Sequence, residues 1–245
     1  MLRKYNYLRS LSLFFFLLNK RFLIVFVVNR NLYLHSMDDK TKNLVDKGEM
    51  LPLMEAFYTI QGEGFHKGTA AYFIRLGGCD VGCHWCDVKE SWDALTHPPT
   101  LTHDIVKNAE PFSDTVVITG GEPLMWDMTM ITKLLKEKNK SVHIETSGAY
   151  DLSGDWDWIC LSPKKNKLPK QKIYETANEL KMIIYNKDDF KFAEREASKI
   201  NSECILFLQP EWSKRDVVIP LIVDYVMKNP KWKISLQTHK YLNIP

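Results

Sequence analysis

The residues best suited to chemistry are crowded into one stretch, GCDVGCHWCDVKESW, residues 78–92. It holds Cys79, Cys83 and Cys86, three of the five cysteines, spaced C-x-x-x-C-x-x-C. Thiolates bind soft and borderline metals, and both a tetrahedral zinc ion and a cubane iron–sulfur cluster take four ligands. Three thiols on one loop can hold three irons of a cubane and leave the fourth open to a substrate or cofactor. A zinc site would need a distant fourth ligand, for which His84, Cys160 and Cys204 are the candidates. Zinc usually takes paired C-x-x-C units, and there is no second pair. Cys160 and Cys204 stand in apolar runs and read as core residues. An odd, tightly crowded set of cysteines also argues against a disulfide framework and for metal binding in a reducing compartment.

Such a loop needs a rigid support. From residue 52 onward, short β-rich runs alternate with helical stretches. The strand candidates are 70–78, 115–121, 142–148, 158–163, 180–185, 203–210 and 232–238. Several are continuous apolar runs, as strands covered on both faces require. Helices are predicted at 102–110, 127–139, 187–201 and 216–229; in the second, Met128, Ile131, Leu134 and Leu135 share one face. Strands alternating with helices imply right-handed βα units. The expected fold is α/β, a partial (βα) barrel with six or seven mostly parallel strands. Chemistry in such barrels gathers at the C-terminal strand ends. The cysteine loop follows the first strand, TGGEP (119–123) the second, ETSG (145–148) the third, SPK (162–164) the fourth and QP (209–210) the sixth. QTHK (237–240) closes the last.

The 245 residues suffice for one large domain or two small ones, with 45% hydrophobic and 26% charged residues. Residues 1–36 carry six basic residues and no acid, so the overall +3 leaves −3 for the rest. A slightly acidic body has no electrostatic footprint for nucleic acid. The apolar stretch 11–28 is broken by Asn19, Lys20 and Arg21, and neither half approaches the ~20 residues that span a bilayer. Residues 1–49 are therefore read as an N-terminal extension, with the native start expected at Met37 or Met50, and residues 50–245 as the catalytic domain. No membrane association and a cytoplasmic location are expected.

The pattern C-x-x-x-C-x-Φ-C, with Trp85 at the aromatic position, resembles the motif of radical S-adenosylmethionine enzymes. GGEP, Gly120–Pro123, matches a second motif of those enzymes after the second strand. Further along, FYTIQGEG (57–64), CDVKESWD (86–93) and THKYLNIP (238–245) resemble the 7-carboxy-7-deazaguanine synthase family over nearly all of residues 52–245. The resemblance implies a lyase of queuosine and deazapurine biosynthesis. Its members contract the ring of 6-carboxy-5,6,7,8-tetrahydropterin to 7-carboxy-7-deazaguanine and release ammonia. Cys79, Cys83 and Cys86 would hold a 4Fe-4S cluster, and S-adenosyl-L-methionine would chelate the open iron.

The same resemblance implies roles for individual residues. Trp85, Cys86, Asp87, Gly121, Glu122, Ser162, Pro163, Lys164 and Gln209 match cofactor-side positions. Ile60, Gln61, Gly62, Arg75, Thr119, Glu145, His239 and Pro245 match substrate-side positions. An Arg at 75 suits a carboxylate because its planar donors bind in pairs. Relatives often place Ser or Thr after the CD, where its hydroxyl binds Mg²⁺; here that position is Val88, leaving Asp87, water and substrate to hold the ion. A flavodoxin- or ferredoxin-like electron donor and a homodimer are also implied. Two alternatives stand beside this reading. A glycyl-radical activase would share the triplet and GGEP but has no need of QGEG or the terminal HKYLNIP. A zinc-stabilised binding module would have no catalysis at all.

Overall fold

The computed structural model describes residues 30–245 and the backbone of two strands, β1 (Ser12–Leu18) and β2 (Arg21–Val27), paired antiparallel. Expectations for the remainder of residues 1–29 lie outside the described residues. Two helices follow, α1 (Arg30–His35) and α2 (Asp39–Asp46). Asp38 caps α2 by accepting from the Thr41 amide at 3.0 Å. Residues 30–49, read from the sequence as part of an extension, pack on the main core. Tyr33, Leu34 and Val45 are buried there, and the Tyr33 ring meets Trp126 edge-on at 5.2 Å.

The strands and helices of the body are β3 (Met50–Ile60), β4 (Ala70–Leu76), β5 (Pro99–Leu101), α3 (Thr102–Ala109), β6 (Thr115–Gly120), α4 (Thr129–Glu137) and β7 (Ser141–Thr146). Then come β8 (Trp158–Leu161), α5 (Gln171–Thr176), β9 (Glu179–Ile184), α6 (Asp188–Ala197), β10 (Ile205–Pro210), α7 (Arg215–Lys228), β11 (Trp232–Ile234) and α8 (Thr238–Leu242). They build one sheet in the order β11-β10-β9-β8-β7-β6-β4-β3-β5. From β4 through β6 to β11 every neighbouring pair is parallel, while β3 runs antiparallel to both β4 and β5. The sheet does not close: β11 and β5 are its edges. This is the partial barrel expected, with all seven anticipated strands present. The first stops at Leu76 because Gly77 and Gly78 turn away, their amides bonding Pro52 O and Ser91 O at 2.7 Å.

Alternation along the strands sorts the side chains into two sets. Ile74, Ile118, Ile144, Leu161, Leu180, Met182 and Leu208 join the large core against the helices. The intervening positions carry a different chemistry: Phe73, Arg75, Thr119, Glu145, Lys181 and Gln209 line a cavity on the opposite, concave face. That face is covered by the β3–β4 loop, residues 61–69, and by the chain from Ser235 onward. The Gly64 amide bonds Ser235 Oγ at 2.9 Å, the Phe65 amide bonds Glu179 Oε2 at 2.9 Å, and the Thr238 amide bonds Gly62 O at 2.9 Å.

Candidate active site

The cysteine loop leaves β4 and is fastened at both ends. The Cys79 amide bonds Trp92 O at 3.1 Å, and the Cys86 amide bonds Cys83 O at 3.0 Å. From the β8 side, Asn166 Nδ2 donates to Gly82 O at 2.9 Å, and Lys167 reaches the Asp80 carboxylate at 3.0 Å. Cys79 packs with Val81, Trp92 and Ala149 in a small apolar cluster, which Cys83 and Cys86 join from its edge. Burial pushes the Cys79 thiol up to about 12 and raises that of Cys83 as well. Thiols in such surroundings stay protonated until a metal displaces the proton. Three cysteines lining one cavity are a donor set whose chemistry fits an iron–sulfur cluster. Cys204 belongs to the outer core, and His84 stacks its ring edge on Tyr185 at 5.1 Å, so neither joins this group.

The GGEP turn is welded to this loop. Gly121 donates to Leu76 O at 2.9 Å and Glu122 to Gly78 O at 2.8 Å. A β-carbon at Gly121 would lie 2.3 Å from Gly78 O and 2.8 Å from Cys79 Cβ, so the close approach needs glycine. Glu122 is only 1% exposed. Its carboxylate accepts from Leu124 N at 3.1 Å, Thr146 Oγ1 at 2.6 Å and Ser147 N at 2.8 Å, and from the Ser147 hydroxyl. The side chain thus ties the β6 exit to the β7 exit and lies below the cavity floor.

The cavity itself measures about 530 Å³. Cys79, Cys83, Trp85, Cys86 and Gly121 line it, together with Ser162 and Lys164. Lys164 donates to Ser162 O at 2.5 Å and Oγ at 2.6 Å, and lies over the Trp85 ring at 5.5 Å. Burial lowers its pKa. The anticipated substrate-side residues Ile60, Gln61, Gly62, Arg75, Thr119, Glu145, His239 and Pro245 line it too, as does Gln209. All residues anticipated at the site reach the lining except Glu122, already placed, and Pro163. A broader groove of about 880 Å³ beside α4 contains none of them.

An ionic network centred on the buried Lys181 lines the same cavity. Lys181 Nζ lies 2.5 Å from Glu63 and 2.9 Å from Glu145, with its side chain 4% exposed. Gln61 Nε2 donates to Glu145 at 2.9 Å, and Gln237 Nε2 to Glu63 at 3.0 Å. Burial opposes charge on Lys181, but Cys160, Glu145, Glu63 and Glu179 together hold its pKa well above the ordinary value. Glu63 is partly buried, and Lys181, Gln209 and His239 keep its carboxyl well below the usual range against that desolvation. Burial lowers His239, which leaves its imidazole neutral at pH 7. A β-carbon on Gly62 would strike the His239 ring at 2.2 Å, so the loop and the last helix meet only because position 62 is glycine.

Two anticipated residues have specific partners. Arg75 pairs through Nε with Glu55 on β3 at 2.7 Å. Asp87 accepts from Lys240 Nζ at 2.6 Å and from Gln237 Nε2 at 3.4 Å. Val88 lines the cavity with carbon alone. A divalent ion therefore finds a poor donor set here: one position has no oxygen, and the carboxylate beside it already holds an ammonium. Lys181, Glu63, Glu179 and Lys240 were not anticipated. A lysine in the middle of the apolar run ELKMII was the available signal for the first.

The Radical SAM superfamily pattern matches residues 73–159, the segment from β4 through the cysteine loop and GGEP to β8. That defines the class: a radical S-adenosylmethionine enzyme, whose chemistry uses a 4Fe-4S cluster and S-adenosylmethionine. Over 201 residues the chain is 71% identical to the 7-carboxy-7-deazaguanine synthase of Flavobacterium psychrophilum, covering 82% of this chain and 96% of that protein. It is 49% identical over 194 residues to the Synechocystis enzyme of the same name, covering 79% and 93%. The crystal structure of QueE from Escherichia coli aligns with a TM-score of 0.70 at 28% identity, over 83% of this chain and 100% of that one. The chain belongs to the 7-carboxy-7-deazaguanine synthase family.

Proposed function

We propose that this chain contracts the ring of 6-carboxy-5,6,7,8-tetrahydropterin to 7-carboxy-7-deazaguanine with loss of ammonia. One observation carries the assignment: a single cavity is lined both by the three thiols and by the Lys181–Glu63–Glu145 network. When bound, the cluster and S-adenosylmethionine supply a carbon-centred radical that takes a hydrogen atom from the substrate. The chain's own residues bind, orient and exclude water. Trp85, Gly121, Ser162 and Lys164 are assigned to the cofactor, with Cys79, Cys83 and Cys86 on the cluster. Gln61 and Glu145 offer amide and carboxylate groups that complement the amino and amide edge of a pterin. Phe73 supplies an apolar wall, stacked on Phe57 at 5.6 Å. Thr119, Gln209, His239 and the Pro245 end complete the lining.

A flavodoxin- or ferredoxin-like protein is proposed to deliver the electron, and the working form is proposed to be a cytoplasmic homodimer. Among the described residues no helix is long and apolar enough to cross a membrane. A magnesium ion, implied by the family resemblance, would have to rely on Asp87, water and substrate.

The test is anaerobic turnover of the reconstituted enzyme with 6-carboxy-5,6,7,8-tetrahydropterin, S-adenosylmethionine and a reductant. The deazaguanine product should form in excess over the S-adenosylmethionine supplied. No deazaguanine at full iron loading sinks the assignment.

A further inference from the structure

The Asp87–Lys240 pair sits at the mouth of the cavity, and both residues line it. We propose that the Lys240 ammonium is the resident cation that meets the substrate carboxylate, and that the site takes no divalent metal for this purpose. The inference rests on the reaction assigned above.

Three features support it. First, Mg²⁺ demands an octahedral shell of oxygens, and Val88 contributes none. Second, Asp87 Oδ2 is 2.6 Å from Lys240 Nζ and 3.4 Å from Gln237 Nε2. A metal at that oxygen would face an ammonium at close range, and the two like charges repel. Third, Lys240 is held ready. Its side chain is 20% exposed and its Nζ lies 5.1 Å from the centre of the Trp212 ring. Its helix is tied to the substrate loop by the Thr238 amide on Gly62 O at 2.9 Å and by Gln237 on Glu63 at 3.0 Å. An ammonium carries three donors, and Asp87 uses one. A fixed cation of this kind neutralises an incoming carboxylate without the ordering cost of a free side chain.

The experiment uses the cluster-loaded enzyme with S-adenosylmethionine and 6-carboxypterin, the non-reacting aromatic analogue. Mn²⁺, a paramagnetic substitute for Mg²⁺, is titrated and followed by electron paramagnetic resonance, and analogue affinity is read from pterin fluorescence. The unaltered enzyme should leave Mn²⁺ free and bind the analogue equally well with and without a chelator. Lys240→Met should weaken the analogue about tenfold, a change of ~1.4 kcal/mol, and Lys240→Arg should restore most of it. Uptake of about one Mn²⁺ per chain by the unaltered enzyme overturns the proposal, as does unchanged analogue affinity in Lys240→Met at full iron content. Should the methionine variant lose its cluster, the Mn²⁺ titration decides alone. Neither readout needs turnover, so a failed reaction assay would indict the assigned reaction and not the cation.

Discussion

Lys181 on β9 and Glu63 in the β3–β4 loop are 118 positions apart in sequence and form an ion pair of 2.5 Å inside the concave face. Glu145 shares the same ammonium at 2.9 Å. Removing the buried cation would leave two partly buried carboxylates unpaired, which costs more than the pair contributes when intact. Lys181→Met should lose roughly 3–5 kcal/mol in urea unfolding of the cluster-free protein. Adding Glu63→Gln should recover part of that loss, and a strictly additive double variant would refute the coupling.

Gly121 predicts a defect that is local to the cluster. Gly121→Ala puts a methyl 2.3 Å from Gly78 O and 2.8 Å from Cys79 Cβ, so the two turns must separate. Overpacking of this kind costs typically 1–3 kcal/mol. Iron content after anaerobic reconstitution should fall well before the fold is lost, as seen by comparing iron per chain with the unfolding midpoint.

Glu122 tests whether the GGEP acid acts by contact or by support. Its oxygens are taken by Leu124, Thr146 and Ser147, and it is buried. Glu122→Gln replaces an acceptor oxygen by a donor facing those donors, and stability should drop by about 1–3 kcal/mol without any cofactor present. A variant as stable as the parent, yet weak for S-adenosylmethionine, would show that the carboxylate reaches the ligand instead.

Acid should destabilise the chain through His143. Burial, then repulsion from His66 at 4.5 Å between ring centres, pushes it down to about 4, against the pull of Asp157. Ser141 Oγ meets its Nε2 at 3.1 Å, and Trp158 flanks the ring at 6.4 Å. The unfolded state, with an ordinary histidine, binds more protons between pH 6.5 and about 4. Stability is therefore fully present above 6.5 and falls across that window as the pH drops, by roughly 3 kcal/mol. His143→Gln should flatten this part of the profile. An unchanged slope in urea melts between pH 4 and 6.5 would assign the loss to other groups.

The parallel strands were legible because apolar runs such as TVVITGG and CILFLQP are long and end in glycine or proline. β3 was not, since Met50–Ile60 includes Pro52 and mixes exposed Glu55 and Tyr58 with buried Leu51. Its structure comes from pairing with β4, which no local pattern encodes. The cysteine loop and GGEP were legible as motifs, and their neighbours in the site, such as Gln61, Lys164 and His239, follow from resemblance more than from pattern. The ionic network was not foreseen because its members, Glu63, Glu145 and Lys181, come from three elements and meet only when the sheet curves. Lys240 stood in the quoted terminal stretch, but its partner Asp87 is 153 positions away.

The β3–β4 loop has one further consequence. Because residues 61–69 cover the concave face with the same groups that line the cavity, substrate recognition and folding draw on shared atoms. Ligand occupancy should then raise the melting temperature through mass action. Mutational drift toward a new substrate is constrained in turn: a change in what Glu63 or Glu145 recognises also unbalances Lys181, so altered specificity requires a second, compensating substitution within the sheet.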